Sequence, residues 1–391
     1  MIKGTYVFYE NGKEVARQSN VITRFGKRFL TNFLAGNVVF DKKDIAMGVG
    51  GSATDSTAAG TTSEKPIDTR LDFEFYRLPI QYGSLNINLS EATITNIAGN
   101  GSVITFTANN SFTAGQSVDI TGVSPSSYIQ YGATIASATA TQFTISGTNT
   151  AAYVSGGTAT VNTYETVYKT SIPQDVAGVI SEIGLYPGTR ASNNNFDSKF
   201  VTTFENKFNW VNSTTDGNPT LVTTPTPRIG SYLLEVSNDG ATTSIEYLNE
   251  IVKTDISGYS VNDTLTLCYN RADTNLSSID VKLYSSASDY YTATFTPTSG
   301  TGNKIQSISL SSLFGNTTGT PDPTTISKVG IVVNCSSAAS PATVYFDGLR
   351  INDEDTFDPI FGLISRAVLA SPLTKVAGRQ VDIEYRLELS F

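Results

Sequence analysis

Apolar and polar residues alternate along most of this chain, in short runs broken by Gly, Asn, Ser and Pro. Residues 2–10, IKGTYVFYE, fit a first strand, and NGK at 11–13 supplies a tight turn. A short strand is expected at 45–49, and LDFEFYRLPIQYG at 71–83 alternates well enough for another. The closing text, VDIEYRLELSF, puts Val381, Ile383, Tyr385, Leu387 and Leu389 on one face of a strand. Asp382, Glu384, Arg386 and Glu388 take the other face. One stretch breaks the period of two. Ile22, Phe25, Phe29, Leu30, Phe33 and Leu34 recur at helical spacing, with Gly36 as a stop and Lys27 and Arg28 off the stripe. This predicts an amphipathic helix covering a sheet.

The texture of the chain changes sharply twice. Residues 92–163 carry one charged side chain, Asp119, and read as short strands of Thr, Ser, Ala and Val. They predict a small β-barrel or Ig-like module. Its Tyr128, Tyr131 and Tyr153 read as half-buried barrel residues, with surface contact as the other use. Residues 197–358 hold eight strand candidates at regular spacing: 231–236, 244–252, 263–270, 279–286, 290–297, 305–312, 328–335 and 342–352. Eight such strands suit a two-sheet jelly roll. The flanking segments, 1–91, 164–196 and 359–391, then form one scaffold interrupted by two inserts. The predicted class is mainly β, with a single N-terminal helix.

Composition sharpens the picture. The chain has 391 residues, only 16% of them charged, and a net charge of −9. Segment 197–358 holds nine Lys and Arg against eighteen Asp and Glu, a difference of −9; the remainder balances at seventeen of each. A neutral scaffold thus carries an acidic passenger, which argues against a nucleic-acid partner. There is no run of about 18 apolar residues for a membrane span, and the first residues lack a secretory signal. Synthesis in a cytoplasm without membrane insertion is expected. Cys268 and Cys335 sit in apolar runs and read as small buried hydrophobes, or as a bridge if their strands are neighbours.

The chain contains no histidine. That removes Ser/His and Cys/His nucleophile pairs and the commonest zinc ligand. GVGGSATDS at 48–56 lacks the Lys-Ser/Thr of a phosphate-binding loop. Within 41–66 it reads as a displayed loop or one packed on a partner. Two carboxylates could still hydrolyse a glycoside, and the acidic run at 352–359 offers a pair, but a solvated linker is its ordinary reading. No enzyme activity is expected.

Four pieces resemble virion proteins of tailed bacteriophages, of the tail, baseplate or fibre kind. They are NVITRFGKRFLTNFLAG, IAMGVGGSATDSTAAGT with DTRLDFEFYR, ISEIGLYPG, and SPLTKVAGRQVDIEYRLELSF. FENKFNW, SDYYTATF and VYFDGLRIN make 197–358 resemble carbohydrate-binding jelly rolls. That second resemblance implies Glu205 and Asp347 as carboxylates of a structural calcium site, the other reading being two exposed edge carboxylates. Sugar recognition uses aromatic faces with amides and carboxylates. The candidates are Trp210, Tyr290, Tyr291, Asp289, Asn270 and Arg271, although a lone Trp is more often core than platform. The resemblance implies a non-enzymatic virion component, homo-oligomeric and bound to other tail proteins, that displays β modules to host-surface polysaccharide. The alternatives are an architectural virion protein, a bacterial surface adhesin and a glycan-cleaving tailspike.

Overall fold

The computed structural model describes residues 2–36, 43–50, 68, 70–187, 199–207, 210–212, 219–238, 240, 242–353 and 362–389. Most of the 41–66 loop and of the 352–359 acidic run lies outside them. The protein is mainly β, as the alternation predicts. By internal contact the chain forms two compact units. The first comprises residues 1–6, 81–169 and 384–391; the second comprises 7–80 and 170–383.

The first unit is built from antiparallel strands. In order across its sheet, Ser155–Ile172 is followed by Ser117–Ser124, Gln130–Ala138, Gln142–Ser146, Val103–Thr107 and Asn96–Gly99. Tyr82–Thr93 pairs separately with Ser155–Ile172. Two long strands therefore run through residues 91/92 and 163/164, where the composition changes. The core is aromatic: Phe106 stacks on Phe143 with centroids 4.9 Å apart, and Phe112 meets Phe143 edge-on. Tyr128 is fully buried and its hydroxyl donates to the Ala151 carbonyl, whereas Tyr131 lies open to solvent. The Tyr153 hydroxyl bonds the Ile94 and Gly156 carbonyls.

The second unit contains a five-stranded antiparallel sheet, ordered Val21–Ile22, Ser365–Lys375, Gly178–Tyr186, Asp44–Gly48, Glu74–Pro79. The predicted helix forms at Arg24–Leu34. Thr23 caps it, its hydroxyl accepting from the Gly26 N–H at 2.9 Å. Gly26 is required, because a Cβ there would sit 2.0 Å from the Ile364 carbonyl oxygen. Only the first half of the stripe is buried. Phe29 is buried and Phe25 stacks against it, while Leu34 is 81% exposed.

One buried ion cluster holds this sheet. The Arg366 guanidinium reaches Glu182 at 2.7 Å and both Asp68 and Asp72 at 2.8 Å. Glu182 is fully buried and also accepts the N–H groups of Gly50, Asp72 and Phe73. Burial and the neighbouring Glu182 push the Asp72 carboxyl up to about 6, against the pull of Arg366. Glycine at 48 and 50 leaves room for Glu182: a Cβ at either position would lie within 2.4 and 2.7 Å of its Oε1.

The same unit contains a β-sandwich of two antiparallel sheets. One runs Thr220–Val222, Leu233–Ser237, Thr343–Asn352, Thr264–Arg271, Gly302–Ser309, with Lys199–Thr202 also on Thr343–Asn352. The other runs Trp210–Asn212, Ser244–Thr254, Ile326–Cys335, Leu276–Tyr284, Tyr290–Phe295, Thr317–Thr318. Between them lies one large apolar core. The expected strand at 305–312 turns instead into a short helix, Leu310–Phe314, capped by Ser309. Cys268 and Cys335 are both buried and are not bridged to each other.

Removing either partner of a buried charge pair leaves the other uncompensated, which costs about 3–5 kcal/mol. Arg366→Met is therefore expected to lower unfolding free energy by about that amount, read from urea titration.

Candidate ligand face and buried carboxylate pair

Strand alternation gives the second sandwich sheet two different faces. Ile245, Tyr247, Ile279, Val281, Leu283, Tyr291, Ile331 and Val333 point into the core. The opposite face carries polar rows across the strands. Register places Glu250, Lys328, Tyr284 and Tyr290 in one row. Leu248, Gly330, Lys282 and Thr292 form the next, and Glu246, Val332, Asp280 and Thr294 a third.

These side chains are knitted together. The Tyr284 hydroxyl donates to Glu246 at 2.7 Å, and Lys282 pairs with the same carboxylate at 3.1 Å. Burial and that acceptor push the Tyr284 phenol well above its ordinary value. Tyr284 lies against Gly330, where a Cβ would come within 2.9 Å of its ring. Tyr290, half-buried, packs on Tyr284 at 4.7 Å, with the Lys282 ammonium 5.0 Å from its ring centre. Asp280 accepts from Thr294 and Asn334, and Lys328 pairs with Glu250. The result is a polar platform with one available aromatic ring and a fixed set of carboxylates, an amide and hydroxyls.

The six sequence candidates do not form one site. Trp210 is 5% exposed and stacks on Phe204 inside the core; its Nε1 finds no hydrogen-bond partner among the described residues. It offers no face to a sugar. Tyr291 also points inward, its hydroxyl donating to the Pro321 carbonyl. Arg271 is buried and spends its guanidinium on the carbonyls of Asp273, Thr274, Leu276 and Thr298. Asn270 lies on the first sandwich sheet, paired with Asn303. Only Tyr290 and Asp289 belong to the platform side. Asp289 is half-buried and held in its turn by Ser286 and Thr320, hydrogen bonds that pull its carboxyl below the ordinary value. Tyr284, Lys282 and Glu246 were not singled out from sequence. Their signal was present in IDVKLY and SIEYLNE, as the polar half of an alternation whose apolar half is core.

The two predicted calcium carboxylates both bond the loop 228–232, at different residues. Asp347 is buried and accepts the N–H groups of Arg228 and Ile229 at 2.8 and 3.2 Å. Glu205 accepts those of Ser231 and Tyr232 at 3.1 Å each. Gly230, at φ +66°, is held where a Cβ would collide with the Glu205 carboxylate. All four carboxylate oxygens thus face amide hydrogens. Among the described residues no group of three acidic, His or Cys side chains gathers there or elsewhere. Calcium takes six to eight oxygens, so this donor set does not fit it.

The loop also docks the sandwich on the five-stranded sheet. The Val179 N–H donates to the Arg228 carbonyl, and the Gly230 N–H to that of Ala177. The Arg228 guanidinium reaches the Val49 carbonyl and the Ser181 hydroxyl. Nearby, Arg350 donates to the Glu74 carbonyl at 2.9 Å. The outer face of the first sandwich sheet is therefore partly occupied by the protein itself.

No family model matches the chain, and no curated protein does. Among solved structures, a family 11 carbohydrate-binding module from Clostridium thermocellum, in complex with a mixed-linked tetrasaccharide, is 16% identical with a TM-score of 0.31. The match covers 40% of this chain and 96% of that one. A carbohydrate-binding module of family 28, specific for non-crystalline cellulose, is 13% identical over 40% of this chain and 96% of its own, with a TM-score of 0.26. The enzymatically active domain of tailspike protein 4 of bacteriophage CBA120 is 12% identical over 38% of this chain and 20% of its own, at 0.24.

Burial pushes the Asp347 carboxyl up from its ordinary 3.8 to about 7, despite its amide donors. Between those values the folded chain keeps a proton that the unfolded chain has released. Stability from this group therefore falls as pH rises through that window and is level above it, by an amount on the order of 4 kcal/mol. Asp347→Asn is expected to flatten that slope. Urea midpoints at about pH 4.5 and about pH 7.5 check it.

Proposed function

We propose that this chain is a non-enzymatic structural component of a phage tail or baseplate, and that its sandwich holds host-surface glycan on the open sheet. One observation carries the glycan reading. The sheet bearing Tyr290 turns an aromatic and polar platform outward, while the other sheet is partly occupied by Arg228, Asp347 and Arg350. A glycan laid along the strands stacks one pyranose on the free part of the Tyr290 ring and brings the hydroxyls of a later sugar unit toward Asp280, Thr294 and Asn334, roughly 13 Å along the sheet. Single-site affinity is modest, since one ring and a few hydrogen bonds recognise the sugar. Many copies on one particle supply the avidity. The virion placement rests on the resemblance of the scaffold segments, and antibodies against this chain that fail to label intact particles would count against it.

The buried state of Trp210 and Tyr291 favours a second reading, in which the sandwich is architectural and contacts neighbouring subunits. Binding of the full chain to host cells and to a glycan panel separates the two. Tyr290→Ala is expected to weaken binding roughly five- to tenfold while a single cooperative melting transition is kept. Trp210→Ala is instead expected to unfold the sandwich by about 3–5 kcal/mol. A folded full-length protein that binds no glycan and no cells would favour the architectural reading.

A further inference from the structure

Strand Tyr82–Thr93 runs for twelve residues and pairs residue by residue with 158–169, without a register shift. Among the described residues no other strand pairs with it, so its second edge is unfilled. In an antiparallel ladder every second residue turns its N–H and C=O away from its partner. This edge accordingly offers a long row of unpaired main-chain groups.

Proteins that stay monomeric protect such an edge with lysine, proline, a bulge, brevity or a covering element. None of the sequence-level protections is present here. The segment YGSLNINLSEAT has no Lys, no Arg and no Pro, and Glu91 is its single charge. Leu85, a branched apolar side chain within it, is 63% exposed. Its core-facing position Ala92 is buried, so the strand is anchored in the fold rather than detached from it.

The geometry points to this edge as a self-association surface, completed by the same strand of a second copy in antiparallel, two-fold pairing. A second copy fits for three reasons. The missing complement is another strand edge, and each copy brings one of equal length. A two-fold arrangement is closed, so it ends at a dimer and does not propagate. With the dyad midway along the strand, the two Glu91 positions fall roughly 24 Å apart along the strand direction, well beyond the screening length in physiological salt. Self-pairing therefore meets no like-charge opposition.

Sedimentation equilibrium of the full chain tests this, with amide hydrogen exchange as the second readout. The expected result is a dimer at high micromolar concentration. Leu85→Lys should weaken its dissociation constant at least about tenfold, with the circular dichroism spectrum and melting curve unchanged. Amides within 82–93 should exchange more slowly in the dimer than after dilution to monomer. A chain that stays monomeric overturns the inference. So does an oligomer that is insensitive to Leu85→Lys and leaves the amides of 82–93 unprotected.

Discussion

Glu182 is a carboxylate with no access to water, and the five-stranded sheet is organised around neutralising it. Taking an isolated carboxylate out of water is expensive enough that a protein must pair it or protonate it. Here the answer draws on distant parts of the sequence. Arg366 comes from near the end of the chain, and three backbone N–H groups come from Gly50, Asp72 and Phe73. The glycines at 48 and 50 follow from the same demand, because any side chain there would occupy the space of the carboxylate. A segment that reads as a display loop is in part the wall of a charge site.

The sandwich shows how much alternation can reveal. The strands at 244–254, 264–271, 276–284, 290–295, 326–335 and 343–352 lie where apolar residues recur at period two. The short strands at 199–202, 210–212, 220–222 and 317–318 carry no such pattern, being two to four residues long and defined by their neighbours. The turn into Leu310–Phe314 was hidden because Ser309 caps a helix as readily as it continues a strand.

The site was less legible than the fold, for a physical reason. Aromatic residues serve cores and sugars equally well, and sequence does not say which side of a sheet faces the partner sheet. Tyr290 and Tyr291 are adjacent, and alternation requires that they part company; contact with Phe314 assigns Tyr291 to the interior. Arg271 looked like a polar contact, yet it closes one end of the sandwich by gathering carbonyls. Glu205 and Asp347 were found together from a resemblance, but the partner they meet, the amide-rich turn at 228–232, has no sequence signature of its own.

The first and last strands of the sandwich are neighbours, with Lys199 opposite Ile351. Its covalent connections to the rest of the chain therefore leave side by side from one end. A load applied at the far end of such a body acts as a lever about that point. Two peptide connections so close together resist twisting poorly. The bonds of Arg228, Gly230 and Arg350 to the five-stranded sheet add fixed points beside those connections, Arg350 being the neighbour of Ile351 in its strand. Rotation of the sandwich about its two connections must break these bonds, whereas a freely jointed passenger on a linker would turn without breaking any.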